Sequence, residues 1–237
     1  MIIDKKELLR SGIYIGKTDT IIADNEQHNE IIEKLKWHSE SKNAFKCRYE
    51  FKDYNGVYER RIELNQIEDR DKYVIDNNLK VFQKWYESDL SLDLDEVKGL
   101  HSCVEYFKNL VDGFIVDIYP DLENNIMHNY AFTLYEDGHF IIPHKDGQNV
   151  GRKCAILIYL SDEKDYNDGG GKFITKVDNN TIDVYPFKEN FVILDFTENN
   201  LLHSVEHVKN GFKRYTYIDF VYNKSEFEKE QNKSRII

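Results

Sequence analysis

Residues 130–146, YAFTLYEDGHFIIPHKD, decide how this chain is read. Two short runs rich in β-branched and aromatic residues, 130–136 and 139–144, flank the turn signal Asp137-Gly138, which predicts neighbouring strands. The second run ends on a histidine, and an aspartate follows two residues later. Side chains at i and i+2 of a strand point to the same side, so His144 and Asp146 can converge on one ion. The motif is weak alone: with 8 histidines in a chain rich in aspartate, an isolated HxD is close to a chance event. The sequence also holds His28-Asn29-Glu30 and His38-Ser39-Glu40. Those fall in a predicted helix, where i and i+2 diverge by about 200° and cannot share a metal.

Beyond residue 146 the pattern of short strands continues at 153–160, 172–176, 191–196, 202–207 and 214–222. Turn signals separate them: Asn167–Gly171, Asn179-Asn180, Asn199-Asn200 and Asn210-Gly211. Short strands without long helices between them predict an antiparallel barrel or two-sheet jelly roll. His203 heads the strand 202–207. Taken singly it reads as an ordinary core histidine. Joined to His144 and Asp146 it completes a set of two histidines and one carboxylate, which leaves three positions open on an octahedral metal and suits iron(II).

Before residue 125 helical spacing dominates. Segments 28–40 and 76–88 are predicted helices, and Leu100, Val104, Phe107, Val111, Phe114 and Ile118 draw an apolar stripe along a third. Residues 46–64, KCRYEFKDYNGVYERRIEL, read as a hairpin turning at Asn55-Gly56. The expected organisation is a helical region with a hairpin over 1–125, packed on a barrel over 126–223, and a polar tail over 224–237 that frays or forms a surface helix. The class is α+β with a mainly β core.

The formal charge of −11, with no concentrated Lys/Arg block, argues against nucleic acid and against anionic membrane as partners. No run approaches the roughly 18 apolar residues of a membrane span, and the start lacks the apolar stretch of a secretion signal. Three scattered cysteines form no disulfide framework; Cys103 and Cys154 read as core. A reducing, cytoplasmic location is the expectation.

The blocks YEDGHFIIPHKD, AILIYLSDEKDYNDGGGKF and FVILDFTENNLLHSVEHVKNGFKRYTYIDFVY, in that order, resemble the prolyl-4-hydroxylase-like branch of the 2-oxoglutarate/iron(II) oxygenases. The resemblance spans about Tyr130 to Tyr222. It implies a double-stranded β-helix, a cupin-like jelly roll, supported by N-terminal helices. It implies Fe(II) held by His144, Asp146 and His203 as the catalytic centre, 2-oxoglutarate and O2 as co-substrates, and ascorbate as a candidate reductant. The implied reaction is hydroxylation of an unactivated C–H bond, with a prolyl or other amino-acid residue of a peptide or protein as first choice. A free amino acid or small metabolite is the alternative substrate. The competing classes are a non-catalytic barrel and a cupin-like enzyme of another metal. Retention of the Asp146 carboxylate favours hydroxylation over halogenation.

The resemblance also implies a basic residue near the start of the last strand to pair with the far carboxylate of 2-oxoglutarate. Lys213 and Arg214 both qualify. Spacing from His203 favours Lys213. Strand alternation favours Arg214, because an inward Lys213 would carry Asp219 inward too, and an unpaired buried carboxylate is costly. Tyr135 and Tyr159 stand where the family places tyrosines that bond the co-substrate. Ala155 departs from the pattern, since several relatives carry threonine there. His207, about 13 Å along the strand from His203, is not expected to ligate, and His139 is expected to face away from His144. Loop 161–168 is a candidate acidic rim or an ordinary solvated loop, and Gly169–Gly171 reads as a flexible turn.

Overall fold

The computed structural model describes residues 4–40, 42–52, 61–146 and 149–234. The expected turn at Asn55-Gly56 lies outside them. The chain opens with α1 (Lys5–Ser11), β1 (Ile13–Lys17) and α2 (Asn25–Ser39), followed by β2 (Phe45–Lys52), β3 (Arg61–Ile62), α3 (Ile67–Asp76), β4 (Lys80–Ser88) and α4 (Asp95–Ile118). Eight strands follow: β5 (Ile126–Tyr135), β6 (Phe140–His144), β7 (Arg152–Tyr159), β8 (Phe173–Val177), β9 (Asn180–Val184), β10 (Asn190–Asp195), β11 (His203–Val205) and β12 (Arg214–Asn223). The polar tail forms α5 (Lys224–Ser234). No described helix is long and apolar enough to cross a membrane.

The strands follow the order β1-β10-β7-β12-β5-β4-β6-β11-β8-β9, with β2 and β3 added beside β4, and the pairings between them are antiparallel. β4 makes the corner. It pairs with β5 at Tyr86 and Glu87 and with β6 at Gln83 and Lys84, so it joins the two halves of a nearly closed barrel. This is the double-stranded β-helix that the motif order implies.

β4 departs from the helix expected over 76–88. Val81, Phe82, Trp85 and Tyr86 are spaced by four as well as by alternation, so spacing alone leaves the choice open. Asn78, at φ 51°, ends α3 and turns the chain. The free edges of β2, β5 and β6 then decide the matter, because extended backbone satisfies all of them and helix would satisfy none. Likewise β1 pairs along β10 from Ile13↔Leu194 to Lys17↔Asn190. The first 125 residues therefore supply strands to the sheet as well as helices on its back.

The α4 stripe is borne out. Leu100, Val104, Phe107, Val111, Phe114 and Ile118 are buried against Phe132, Ile156, Ile158 and Tyr217 on the outer face of the sheet. Burying each such side chain contributes roughly 1.5–3 kcal/mol. Cys103 and Cys154 are buried in that layer and unpaired. The opposite face of the same strands lines the barrel. There Ala155, Leu157, Val192, Leu194 and Phe173 form one cluster, and Trp85, Tyr135, Val205, Val208 and Phe212 form another.

Candidate metal centre and co-substrate pocket

β6 carries His144 as its last residue, and β11 begins at His203, which lies directly opposite in register. The two rings sit 4.4 Å apart, centre to centre. Asp146 lies between them, its carboxylate 3.8 Å from His144 Nε2 and 3.5 Å from His203 Nε2. One donor atom from each of the three lies within 4.8 Å of the others. The loop is held by Asn200, whose Nδ2 donates to the Asp146 carbonyl at 2.6 Å.

Both histidines are oriented by the same device. The Nδ1 of His144 is 3.1 Å from the Ile142 carbonyl, and the Nδ1 of His203 is 3.0 Å from that of Leu201. A carbonyl only accepts, so each Nδ1 carries the proton and each Nε2 presents a lone pair towards Asp146. Phe173 stacks on His203 at 5.4 Å. Burial lowers the His203 pKa, against the pull of the Asp146 charge, which favours the neutral ring that a metal needs. His144 stays one-third exposed on its side chain, so the centre opens on that side.

Along β12 the alternation places Arg214, Thr216, Ile218 and Phe220 inside the barrel and Tyr215, Tyr217, Asp219 and Val221 against the helices. Arg214 is 1% exposed. Its guanidinium lies over Tyr135 at 4.7 Å and over Tyr159 at 5.3 Å, and its Nε donates to the Gly171 carbonyl at 2.9 Å. Lys213 points out, 49% exposed on its side chain, with Glu136 4.0 Å away. Arg214 thus faces inward, as strand alternation requires, and Lys213, which the spacing from His203 favours, faces outward. Asp219, on the outer face, is buried but not unpaired, since His128 Nδ1 stands 2.6 Å from its carboxylate.

Three polar atoms at this end of the interior are buried without a hydrogen-bond partner: Arg214 Nη2, Tyr159 Oη and Thr216 Oγ1. Thr216 sits opposite both Tyr159 and Thr133, and Arg214 opposite Tyr135, so the groups share one face. Burial pushes the Tyr159 hydroxyl up to about 12 despite the nearby Arg214 charge. A cation and two neutral donors left unsatisfied in an apolar barrel are costly unless a ligand meets them, and an anionic oxygen-rich group answers all three. The residues present therefore fit an iron ion and a dicarboxylate.

Other candidates lie elsewhere. His207 stacks on Phe140 at 4.1 Å, and His139 is buried against Tyr86, its pKa pushed down to about 4 by burial. In loop 161–168, Asp162 is bridged by Lys36 at 2.6 Å and Lys188 at 2.8 Å, and Tyr166 packs on Phe212, so these two residues anchor the loop. Sequence reasoning missed Trp85, which stacks on Tyr135 at 5.6 Å and 6°; a strand reading of β4 would have turned it inward. It also missed Thr216 as a polar group and Arg152. Arg152 begins the strand after the Asp146 loop, lies 4.5 Å over Phe220, and donates to Tyr222 Oη from Nε and Nη2 at 3.0 and 2.8 Å.

Residues 130–222 match the 2OG-Fe(II) oxygenase superfamily. No curated protein sequence matches the chain. Among solved structures, the chain is similar to a prolyl hydroxylase from Trichoplax adhaerens in complex with a hypoxia-inducible-factor peptide fragment, with TM-score 0.58 and 16% identity over 94% of this chain and 89% of that one. A Pseudomonas putida prolyl-4-hydroxylase gives TM-score 0.58 and 13% identity over 92% and 96%. AviO1 from Streptomyces viridochromogenes gives 0.53 and 17% over 94% of each chain. The structures agree in fold, and the superfamily match falls on the barrel that carries the histidine–aspartate–histidine group. The chain is thus similar over its barrel to the 2OG-Fe(II) oxygenase superfamily, and similar in fold to prolyl hydroxylases.

Proposed function

We propose that the chain hydroxylates an unactivated C–H bond of a prolyl or other amino-acid residue in a peptide, with His144, Asp146 and His203 holding iron(II) and Arg214 pairing with the far carboxylate of 2-oxoglutarate. The observation that carries this reading is the set of unsatisfied buried groups, Arg214 Nη2, Tyr159 Oη and Thr216 Oγ1, in the same barrel as the three metal donors. Bound iron and 2-oxoglutarate together supply the chemistry that delivers an oxygen atom from dioxygen to carbon.

The chain's own groups do the rest. The Ile142 and Leu201 carbonyls hold both imidazoles with Nε2 towards the metal position, so little reorganisation attends binding. The Asp146 carboxylate adds negative charge that favours a divalent cation. Leu157, Ile218, Val205 and Ile141 line the interior and exclude water, which strengthens the Arg214–carboxylate pairing. A peptide substrate is favoured by Phe196, Phe220 and Tyr222, gathered around Arg152, as aromatic surface for an apolar ring. The solved prolyl hydroxylase that carries a peptide is consistent with this.

The test has two stages. Under anaerobic conditions, Fe(II) and 2-oxoglutarate should give the weak visible charge-transfer absorption of a chelated keto acid, and His203→Ala should abolish it. Absence of that absorption in the wild type overturns the reading. Incubation with peptide pools should then give products heavier by about 16 Da, one oxygen atom; a gain confined to free amino acids would move the assignment to small metabolites.

A further inference from the structure

Gly169–Gly171 is a rigid strap rather than a loose turn. It is sewn to the turn before β12: the Lys209 amide donates to the Gly169 carbonyl at 2.9 Å, and Gly170 bridges Val208. Asn210 Nδ2 donates to the carbonyls of Asn167 and Asp168 at 3.1 and 3.2 Å. A Cβ at Gly169 would run into the Phe212 side chain, and one at Gly170 into the His207 carbonyl. Gly171 has φ 71°, and a Cβ there would press on Val208 Cγ2 at 3.0 Å and on Arg214 Cδ at 3.2 Å. Its carbonyl takes the hydrogen bond of Arg214 Nε at 2.9 Å, the one main-chain contact of that guanidinium among the described residues.

We infer that Gly171 is the positioning residue of the carboxylate anchor: its carbonyl and its missing side chain set the angle at which Arg214 meets the far carboxylate of the keto acid. The inference rests on the functional reading above. Tyr135 and Tyr159 confine the guanidinium, and Gly171 occupies Nε, so Nη2 is left aimed at the ligand. A guanidinium is a planar fork, and its pairing with a carboxylate depends on that angle. The strap thereby makes the pocket selective for a keto acid with a second carboxylate.

Binding without turnover tests this. The protein is loaded with Mn(II) under anaerobic conditions, and the affinities for Mn(II), 2-oxoglutarate and pyruvate are measured by calorimetry. Pyruvate shares the keto acid and lacks the far carboxylate. Gly171→Ala is expected to weaken 2-oxoglutarate by about 10–100-fold, the range for groups that orient a ligand's partner, and to leave Mn(II) and pyruvate unchanged. In an Arg214→Gln background it should cost nothing further, because the two residues act as one unit. Equal losses for Mn(II) and pyruvate, or an undiminished loss in the Arg214→Gln background, would mean a merely structural role and overturn the inference. Should Gly171→Ala not fold, the pair Gly171→Ala/Val208→Ala relieves the Val208 contact while keeping the one on Arg214. The same selective loss is expected, and wild-type affinity for 2-oxoglutarate in that pair would overturn the inference. If Arg214→Gln itself binds 2-oxoglutarate as tightly as the wild type, the functional reading fails. If Arg214→Gln loses affinity and Gly171→Ala does not, the inference alone fails.

Discussion

The two faces of β12 are built from alternate residues of one ten-residue strand, yet they are finished in opposite ways. On the outer face, Asp219 is fully buried, and its Oδ2 takes His128 Nδ1 at 2.6 Å and the Tyr217 hydroxyl at 3.2 Å. His128 Nε2 in turn lies 3.0 Å from Asp112, and Phe107 stacks on Tyr217 at 5.1 Å. That face binds the barrel to α4 and finds its principal partners within the chain. On the inner face, Arg214 and Thr216 are equally buried, and each keeps a polar atom without a partner. The outer face leaves Asp219 Oδ1 open as well, but the other oxygen of that carboxylate is held by His128 and Tyr217, whereas on the inner face Arg214 Nη2, Thr216 Oγ1 and Tyr159 Oη are open together, and a cluster of open donors points to a ligand.

The largest effect is expected on the inner face. Arg214→Gln keeps the shape and removes the charge. Truncating one partner of a buried charge pair costs about 2–5 kcal/mol, so 2-oxoglutarate affinity should fall by roughly 30- to several thousand-fold. The melting temperature of the ligand-free protein should hold or rise, since a buried cation has gone. An unchanged affinity would refute the inner-face assignment.

Asp219→Ala breaks the outer face. Removal of one member of a buried, hydrogen-bonded pair should cost about 3–5 kcal/mol, or roughly 6–20 °C in melting temperature at this chain length. Affinity for 2-oxoglutarate, measured well below the transition, should stay at the wild-type value. A loss of affinity equal to that of Arg214→Gln would show that the two faces are not independent.

A smaller effect is expected from pH. Burial opposes a charge on His128, but the hydrogen bond and charge of Asp219, with Asp112, outweigh it and raise the pKa. A histidine raised on folding stabilises the protein below its unfolded value of about 6.5, and that contribution disappears as pH rises through the folded value. Thermal stability should therefore decline as pH rises from about 6.5 through the folded value, and His128→Gln should flatten the decline. A decline of the same size in the variant would remove His128 as its cause.

Lys213→Ala is the smallest change. Its side chain is half exposed and 4.0 Å from Glu136, so stability should shift by less than about 0.5 kcal/mol and co-substrate affinity should not move. A large loss would reinstate Lys213 as the anchor.

Much of the site was legible because it is local. The spacing of two between His144 and Asp146, at a strand end, already puts imidazole and carboxylate on one side. The alternation of β12 already separates Arg214 from Lys213, since only one register keeps Asp219 off the barrel interior. The apolar stripe of α4 likewise needs no tertiary information. Spacing by itself favours Lys213, which the structure turns outward. Counting residues from His203 ignores which way a strand side chain faces.

Period-two alternation and the order of short strands are enough to set the barrel, its histidine–aspartate–histidine group and its inward cation. The tertiary structure decided the rest. β4 is a strand because three neighbouring edges lacked partners, and only as a strand does it bring Trp85 onto Tyr135. Gly169–Gly171 looks like a loose turn in one dimension. Its rigidity comes from residues 207–214, which lie some forty positions away in the chain and in contact in space.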